Sequence, residues 1–153
     1  MLELSLKIKP YSVNAYFYGN RNIKKREARE WEHSMVDLLK SPQMQSALQE
    51  LKDEFDPTKH CIKVDITCYY PREIFFTKKG TISAKTFDLS NVEKPIVDVI
   101  FLEKYATQTI KNIGIDDKYI TDLNSKKRPS IEHSINIRIQ LDNLQSLEDI
   151  LPL

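Results

Sequence analysis

The sequence predicts an α+β fold, a mixed β-sheet packed with helices, and three observations carry that reading. Leu2 to Ile8, Ile62 to Tyr70 and Ile135 to Leu141 each alternate apolar and polar residues. That period of two is the mark of a strand with one buried face. Between these segments lie stretches whose apolar residues recur at spacings of three and four, the signature of one helical face. At 153 residues the chain has the size of one ordinary domain and needs no disulfide or metal staple to bury a core. Residues 1–153 are therefore expected to form a single domain.

The elements follow in order. Leu2, Leu4, Leu6 and Ile8 line one face of the first strand, which Pro10 ends. Tyr11, Tyr16, Phe17 and Tyr18 then crowd a short polar stretch, as core filler or as a surface that stacks on bases or sugars. Residues 22–40 read as a helix with Ala28, Trp31, Met35 and Leu38 on one face, and Trp31 belongs to the core. Lys24, Lys25, Arg26 and Arg29 crowd its start, where cations oppose the helix dipole; this is a weak pointer to a phosphate partner. A second helix runs from Pro42 to Phe55, with proline at a tolerated first-turn position. The central strand spans 62–70. Pro71 to Phe87 reads as a hairpin or arm, two extended pieces flanking Lys78-Lys79-Gly80, with Phe75 and Phe76 as packing or as a wedge for DNA.

A helix is expected from residue 91 to about 103, with Val92, Ile96, Val99 and Ile100 as its stripe, Pro95 near its first turn and Ser90 or Asn91 as its cap. Tyr105 to Ile113 is a further amphipathic piece that stops at Gly114. A short strand, Tyr119 to Leu123, a basic turn at Lys126-Lys127-Arg128-Pro129, the last strand and a terminal helix from Asn143 to Leu151 complete the chain.

Composition excludes several classes. Three glycines cannot supply a dinucleotide or phosphate loop. His33, His60 and His133 are scattered, and Cys61 and Cys68 lack zinc-finger spacing. Seven apart on one strand, the two cysteines point to opposite faces and read as buried free thiols of a reducing compartment. No apolar run reaches 18 residues, and Met1 to Pro10 lacks a signal-peptide core, so a cytoplasmic protein without membrane contact is expected. The net charge of +1 points to no partner by itself, so the clusters matter more than the sum.

One stretch carries chemistry. Asp88 precedes a helix, and Ser90 shares its side if the backbone is extended there. Asn91, Lys94 and Asp98 follow on one helical face, and a loop would return Asp116-Asp117 beside the helix start. Carboxylate oxygens with a lysine suit a hard divalent ion and phosphodiester chemistry. The plain alternative makes Asp88, Ser90 and Asn91 helix caps and Asp116-Asp117 a turn.

These residues, taken in order, resemble the RusA family of Holliday-junction resolvases. The pattern comprises the first strand, Pro10-x-Ser12-x-Asn14-x-x-Phe17, a helix, and a strand ending at Tyr70-Pro71. The signature Asp-x-Asp-Asn with its later Lys and Asp then aligns with Asp88-Leu89-Ser90-Asn91, Lys94 and Asp98, and the downstream acid pair with Asp116-Asp117. The resemblance implies a homodimeric α+β endonuclease that binds four-way DNA and cuts opposed strands with Mg²⁺ or Mn²⁺. It implies Asp88, Asp117 and Lys94 as catalytic residues, with Ser90, Asp98 and Asp116 beside Asp88 and Asp117 as metal ligands. Ser90 stands where the signature has its second Asp, which removes a charge from the site. Glu103 to Thr109 reads as an insertion relative to compact members. Junction-backbone contacts are expected from Asn14 and from Lys24, Lys25, Arg26, Lys78, Lys79, Lys85, Lys126, Lys127 and Arg128. The alternatives are a non-cleaving branched-DNA binder that keeps the fold with a weakened metal site, and a structural or protein-interaction domain.

Overall fold

The computed structural model describes residues 1–12, 25–101 and 114–148. In chain order these form β1 (Leu2–Leu6), α1 (Arg26–Leu38), α2 (Pro42–Glu54), β2 (His60–Pro71), α3 (Arg72–Phe75), α4 (Leu89–Phe101), a 3-10 turn (Asp117–Tyr119), β3 (Ile120–Ser130), β4 (Ser134–Asn143) and α5 (Gln145–Glu148). The four strands make one sheet in the order β1-β4-β2-β3. β4 runs antiparallel to β1 and β2, whereas β2 and β3 are parallel. The sheet is therefore mixed and the fold α+β, as expected. A parallel pair needs a crossover, and α4 lies on it.

Alternation decides which side of the sheet is dry. Leu2, Leu4 and Leu6, then Ile62, Val64, Ile66, Cys68 and Tyr70, then Ile135, Ile137 and Ile139 are all buried. Helices cover that face with Ala28, Trp31 and Met35 from α1, Leu48 and Leu51 from α2, and Val92, Ile96, Val99 and Ile100 from α4. Trp31 also fixes the exit of β1, its indole N–H donating to the Lys9 carbonyl at 2.7 Å. Ser41 caps α2 by accepting from the Met44 amide, ahead of Pro42 at the first turn. Cys61 and Cys68 are buried and unbridged. Burial pushes the Cys68 thiol up to about 12, with the Glu93 carboxylate adding to the effect.

Several boundaries differ from the sequence reading. The piece after β2 is one helical turn, α3, and not an extended strand; its Phe75 is buried against Phe76. The tip beyond it does close on itself: Phe76 bridges Ile82, the Thr77 amide donates to the Thr81 carbonyl at 2.8 Å, and Gly80 takes φ 83°. α4 begins at Leu89, so Ser90 and Asn91 lie inside it and neither caps it. Pro95 is its seventh residue, where it has no N–H for the Asn91 carbonyl and the helical ladder lacks that bond. The strand expected at 119–123 continues to Ser130, because β3 stays in register with β2 as far as Pro71. Lys126-Lys127-Arg128 is thus a stretch of strand, and the turn falls at residues 131–133. β3 is an edge strand, where Pro129 is tolerated. α5 is seen from Gln145 to Glu148. The expectations placed on residues 16–18, on 105–113 and on the stretch Glu103 to Thr109 lie outside the described residues.

Candidate active site

The site is a row along one face of α4. Asp88 stands exposed immediately before the helix, Asn91 is half-buried in its first turn, and Lys94 and Asp98 follow. Lys94 Nζ lies 3.5 Å from Asp98 Oδ2; the lysine side chain is 67% exposed and the aspartate only 19%. Ten residues separate Asp88 from Asp98, about 15 Å of helical rise, so the two acids sit at opposite ends of the row. Ser90 is exposed and helical, which removes the extended geometry that would have aligned it with Asp88.

The acid pair, expected beside the helix start, instead meets the far end of this row. Asp116 caps the 3-10 turn, accepting from the Lys118 amide at 2.9 Å. The Asp117 carboxyl is held above its ordinary pKa, first by burial, then by the Asp116 carboxyl and the Asp98 charge; Lys94 opposes the rise. Asp98, Asp116, Asp117 and Lys94 therefore share one electrostatic neighbourhood. At the other end, Asp88 and Asn91 open on a cleft of about 540 Å³ with Ser12, Lys25, Thr86 and Phe87.

Among the described residues, no three His, Cys, Asp or Glu side chains gather to hold a metal ion. The donor chemistry nonetheless fits a small hard cation, which needs one or two carboxylates and keeps several waters. The crowding of acids that raises the Asp117 pKa is the feature a cation would relieve.

The basic residues separate by position. Lys78, Lys79 and Lys85 are exposed on the arm. Arg26 is exposed and pairs with Glu30 at 2.9 Å. Lys126 and Arg128 face solvent on the open side of the sheet, in a shallow polar cradle of about 340 Å³ with Tyr69, Asn136 and Arg138. Lys127 is half-buried and donates to Thr86, which sets it apart from its two outward neighbours. Of the two readings for Phe75, its burial selects packing, and Phe76 lies half-buried beneath the Arg72 guanidinium. Asn14 and Lys24 lie outside the described residues. Tyr69, Asn136 and Arg138, together with Ser125 and Glu93, which hydrogen-bond each other, escaped the sequence reading. Their signal was present in strand alternation, but only a known register reveals which face each one takes.

Acids and a lysine along a helix, with cations displayed on the arm and the strand edge, are chemistry compatible with binding and hydrolysing a phosphodiester backbone. The class they suggest is a nuclease built on a mixed sheet. The family model for endodeoxyribonuclease RusA matches residues 10–140, and the chain belongs to that family. Membership implies an endodeoxyribonuclease acting on Holliday-junction DNA. No curated protein matches the chain. Among the described residues no helix is long and apolar enough to cross a membrane.

Proposed function

We propose that this chain is a single-domain, divalent-metal-dependent resolvase that works as a cytoplasmic homodimer and cuts opposed strands of four-way DNA. The observation that carries the reading is the α4 row in a RusA-family chain: Asp88 before the helix, and Lys94 and Asp98 meeting Asp117 at its far side. Symmetric cuts need two sites related by a two-fold axis, which a homodimer supplies.

Asp88 and Asp117 are the catalytic carboxylates at the two ends of the row, and Asp98 and Asp116 join Asp117 as the candidate ligand group, which Ser90 in the first turn of α4 does not reach. Mg²⁺ or Mn²⁺ held there would activate water and neutralise phosphate charge. Lys94 sets its ammonium against the charge that develops on the phosphate oxygens. Its exposure leaves it accessible to substrate, while Asp98 restrains its position. Lys25, Arg26, Lys78, Lys79, Lys85, Lys126 and Arg128 hold the backbone of the arms, reading shape and not base sequence.

The test is a labelled four-way junction beside its linear duplex, with Mg²⁺ or Mn²⁺, using the wild type and Asp88→Asn. Paired nicks on the junction alone are expected from the wild type. The variant should lose them and keep or strengthen binding, because a charge that repels phosphate is gone. Joint loss of binding and cutting counts against the assigned roles.

A second reading rests on Ser90, a neutral, exposed residue inside the first turn of α4. A hydroxyl is a weak ligand, so the fold would then bind junctions without cutting them. Under that reading the wild type binds selectively and leaves no nicks, and Ser90→Asp gains cleavage. A folded Ser90→Asp protein that binds normally and still does not cut removes the second reading.

A further inference from the structure

We infer that Lys127 is a positioning residue for the catalytic loop and not a DNA contact. This deepens the proposed function and rests on reading Asp88 as a catalytic carboxylate. The register of β2 and β3 sets the starting point. Lys126 pairs with Thr67, Lys127 with Cys68 and Arg128 with Tyr69. Cys68 is completely buried on the helix-covered face, and Lys127 shares that face. Three consecutive cations are thus divided by the pleat into two that look outward and one that looks in.

The inward lysine finds acceptors. Its Nζ lies 3.1 Å from Thr86 Oγ1 and 3.4 Å from the Thr86 carbonyl. Thr86 is buried and itself donates from Oγ1 to the Ser83 carbonyl at 2.7 Å. The Ser83 amide donates in turn to the Phe75 carbonyl at 2.8 Å. The segment leading to Asp88 is therefore tied to α3 at its start and to β3 at its end. Ser125, two residues before Lys127 on the same strand, hydrogen-bonds Glu93 inside α4. Asp88 lies in the chain between these two attachments, Thr86 before it and Glu93 after it.

A half-buried ammonium needs acceptors, since removing its water without replacing the hydrogen bonds is costly. Methionine would fill the same space without that demand. A lysine serving DNA would face outward, as Lys126 does. What Lys127 adds at this place is a fixed distance between β3 and Thr86, two residues from a carboxylate. Misplacing a reacting group by about 1 Å costs about 100-fold in rate.

The experiment compares Lys127→Met with Lys126→Met, the same charge change one residue away on the opposite face. Amide hydrogen exchange is followed across residues 83–91, junction affinity is measured against salt, and single-turnover cleavage is measured at saturating protein. Lys127→Met should speed exchange at Thr86 to Asp88, keep the wild-type salt slope, and slow cleavage about 10- to 100-fold. Lys127→Arg, which retains donors, should recover most of the rate. Lys126→Met should leave that exchange unchanged and lower the salt slope by about 0.9. Thr86→Val, which removes the same bond from the other side, should reproduce the exchange result should Lys127→Met prove unstable. Unchanged exchange in both Lys127→Met and Thr86→Val overturns the proposal, as does a loss of salt slope in Lys127→Met. A wild type that neither binds nor cuts junctions would sink the functional reading, and exchange would then decide alone whether Lys127 holds the loop.

Discussion

Ile66 and Thr67 are consecutive residues of β2, one fully buried under the helices and the other half-exposed on the open face of the sheet. The same division runs through every strand. On the covered face the neighbours are Leu4, Ile137 and the α4 stripe. On the open face they are charged or polar and satisfied in pairs. Lys63 bridges Asp142 at 2.9 Å, the Asn136 amide donates to Glu3 and Ser5, and Arg138 lies 3.5 Å from Glu3. The difference teaches where each property resides. Stability belongs to the covered face, where apolar area leaves water; exposed ion pairs add little. Accessible charge belongs to the open face, the arm and the row at the rim of α4, the places where the proposed function puts recognition.

The sharpest way to break this comparison is to substitute both members of the pair. Ile66→Ala should destabilise the fold by about 2–5 kcal/mol, and Thr67→Ala should stay within about 1 kcal/mol, both read from denaturant melts. Equal losses would mean that the open face contributes to the core. Asp88→Asn makes the intermediate case: a large fall in cutting with the midpoint of unfolding almost unmoved, because Asp88 is exposed.

Asp117→Asn is the smallest effect and the most telling about the site. Burial and neighbouring acids raise the Asp117 pKa above its ordinary 3.8, so the folded state holds that proton more firmly than the unfolded chain. The resulting stabilisation is complete below 3.8 and disappears as pH rises through the higher folded value, leaving an unfavourable carboxylate at neutral pH. Without metal, Asp117→Asn should raise Tm by about 1–2 °C at pH 7 and give no gain below about pH 3. Added Mg²⁺ should raise the Tm of the wild type and not of the variant. A variant no more stable at neutral pH would show that Lys94 already offsets the crowding.

Much of the fold was legible because its signals are local. The alternation at Ile62 to Tyr70 located β2, the apolar spacing from Ala28 to Leu38 located α1, and Pro42 marked the start of α2. The errors share one cause. Lys126-Lys127-Arg128-Pro129 looks like a turn in isolation, because consecutive charges and a proline disfavour a central strand. It is a strand because β2, more than fifty residues earlier in the chain, offers an unpaired edge there. For Phe75, read as packing or as a wedge, α3 decides in favour of packing by turning it into the core.

The candidate site divides in the same manner. Asn91, Lys94 and Asp98 were readable as one face, with Asp88 just before the helix, since helical geometry relates residues three and four apart whatever surrounds them. The return of Asp116-Asp117 was expected beside the start of the helix, but Asp117 comes to its far end, near Asp98 and Lys94, because the crossover and not local sequence sets where the chain re-enters. Local sterics thus determined from sequence alone that strands alternate here and that a polar stripe interrupts an apolar helix. Only tertiary structure decided which face of β3 is covered, and therefore that Lys126 and Arg128 look to solvent while Lys127 reaches Thr86. The reason is physical: alternation fixes that neighbouring side chains oppose one another, but the side that is buried depends on strand pairing and helix packing between residues distant in the chain.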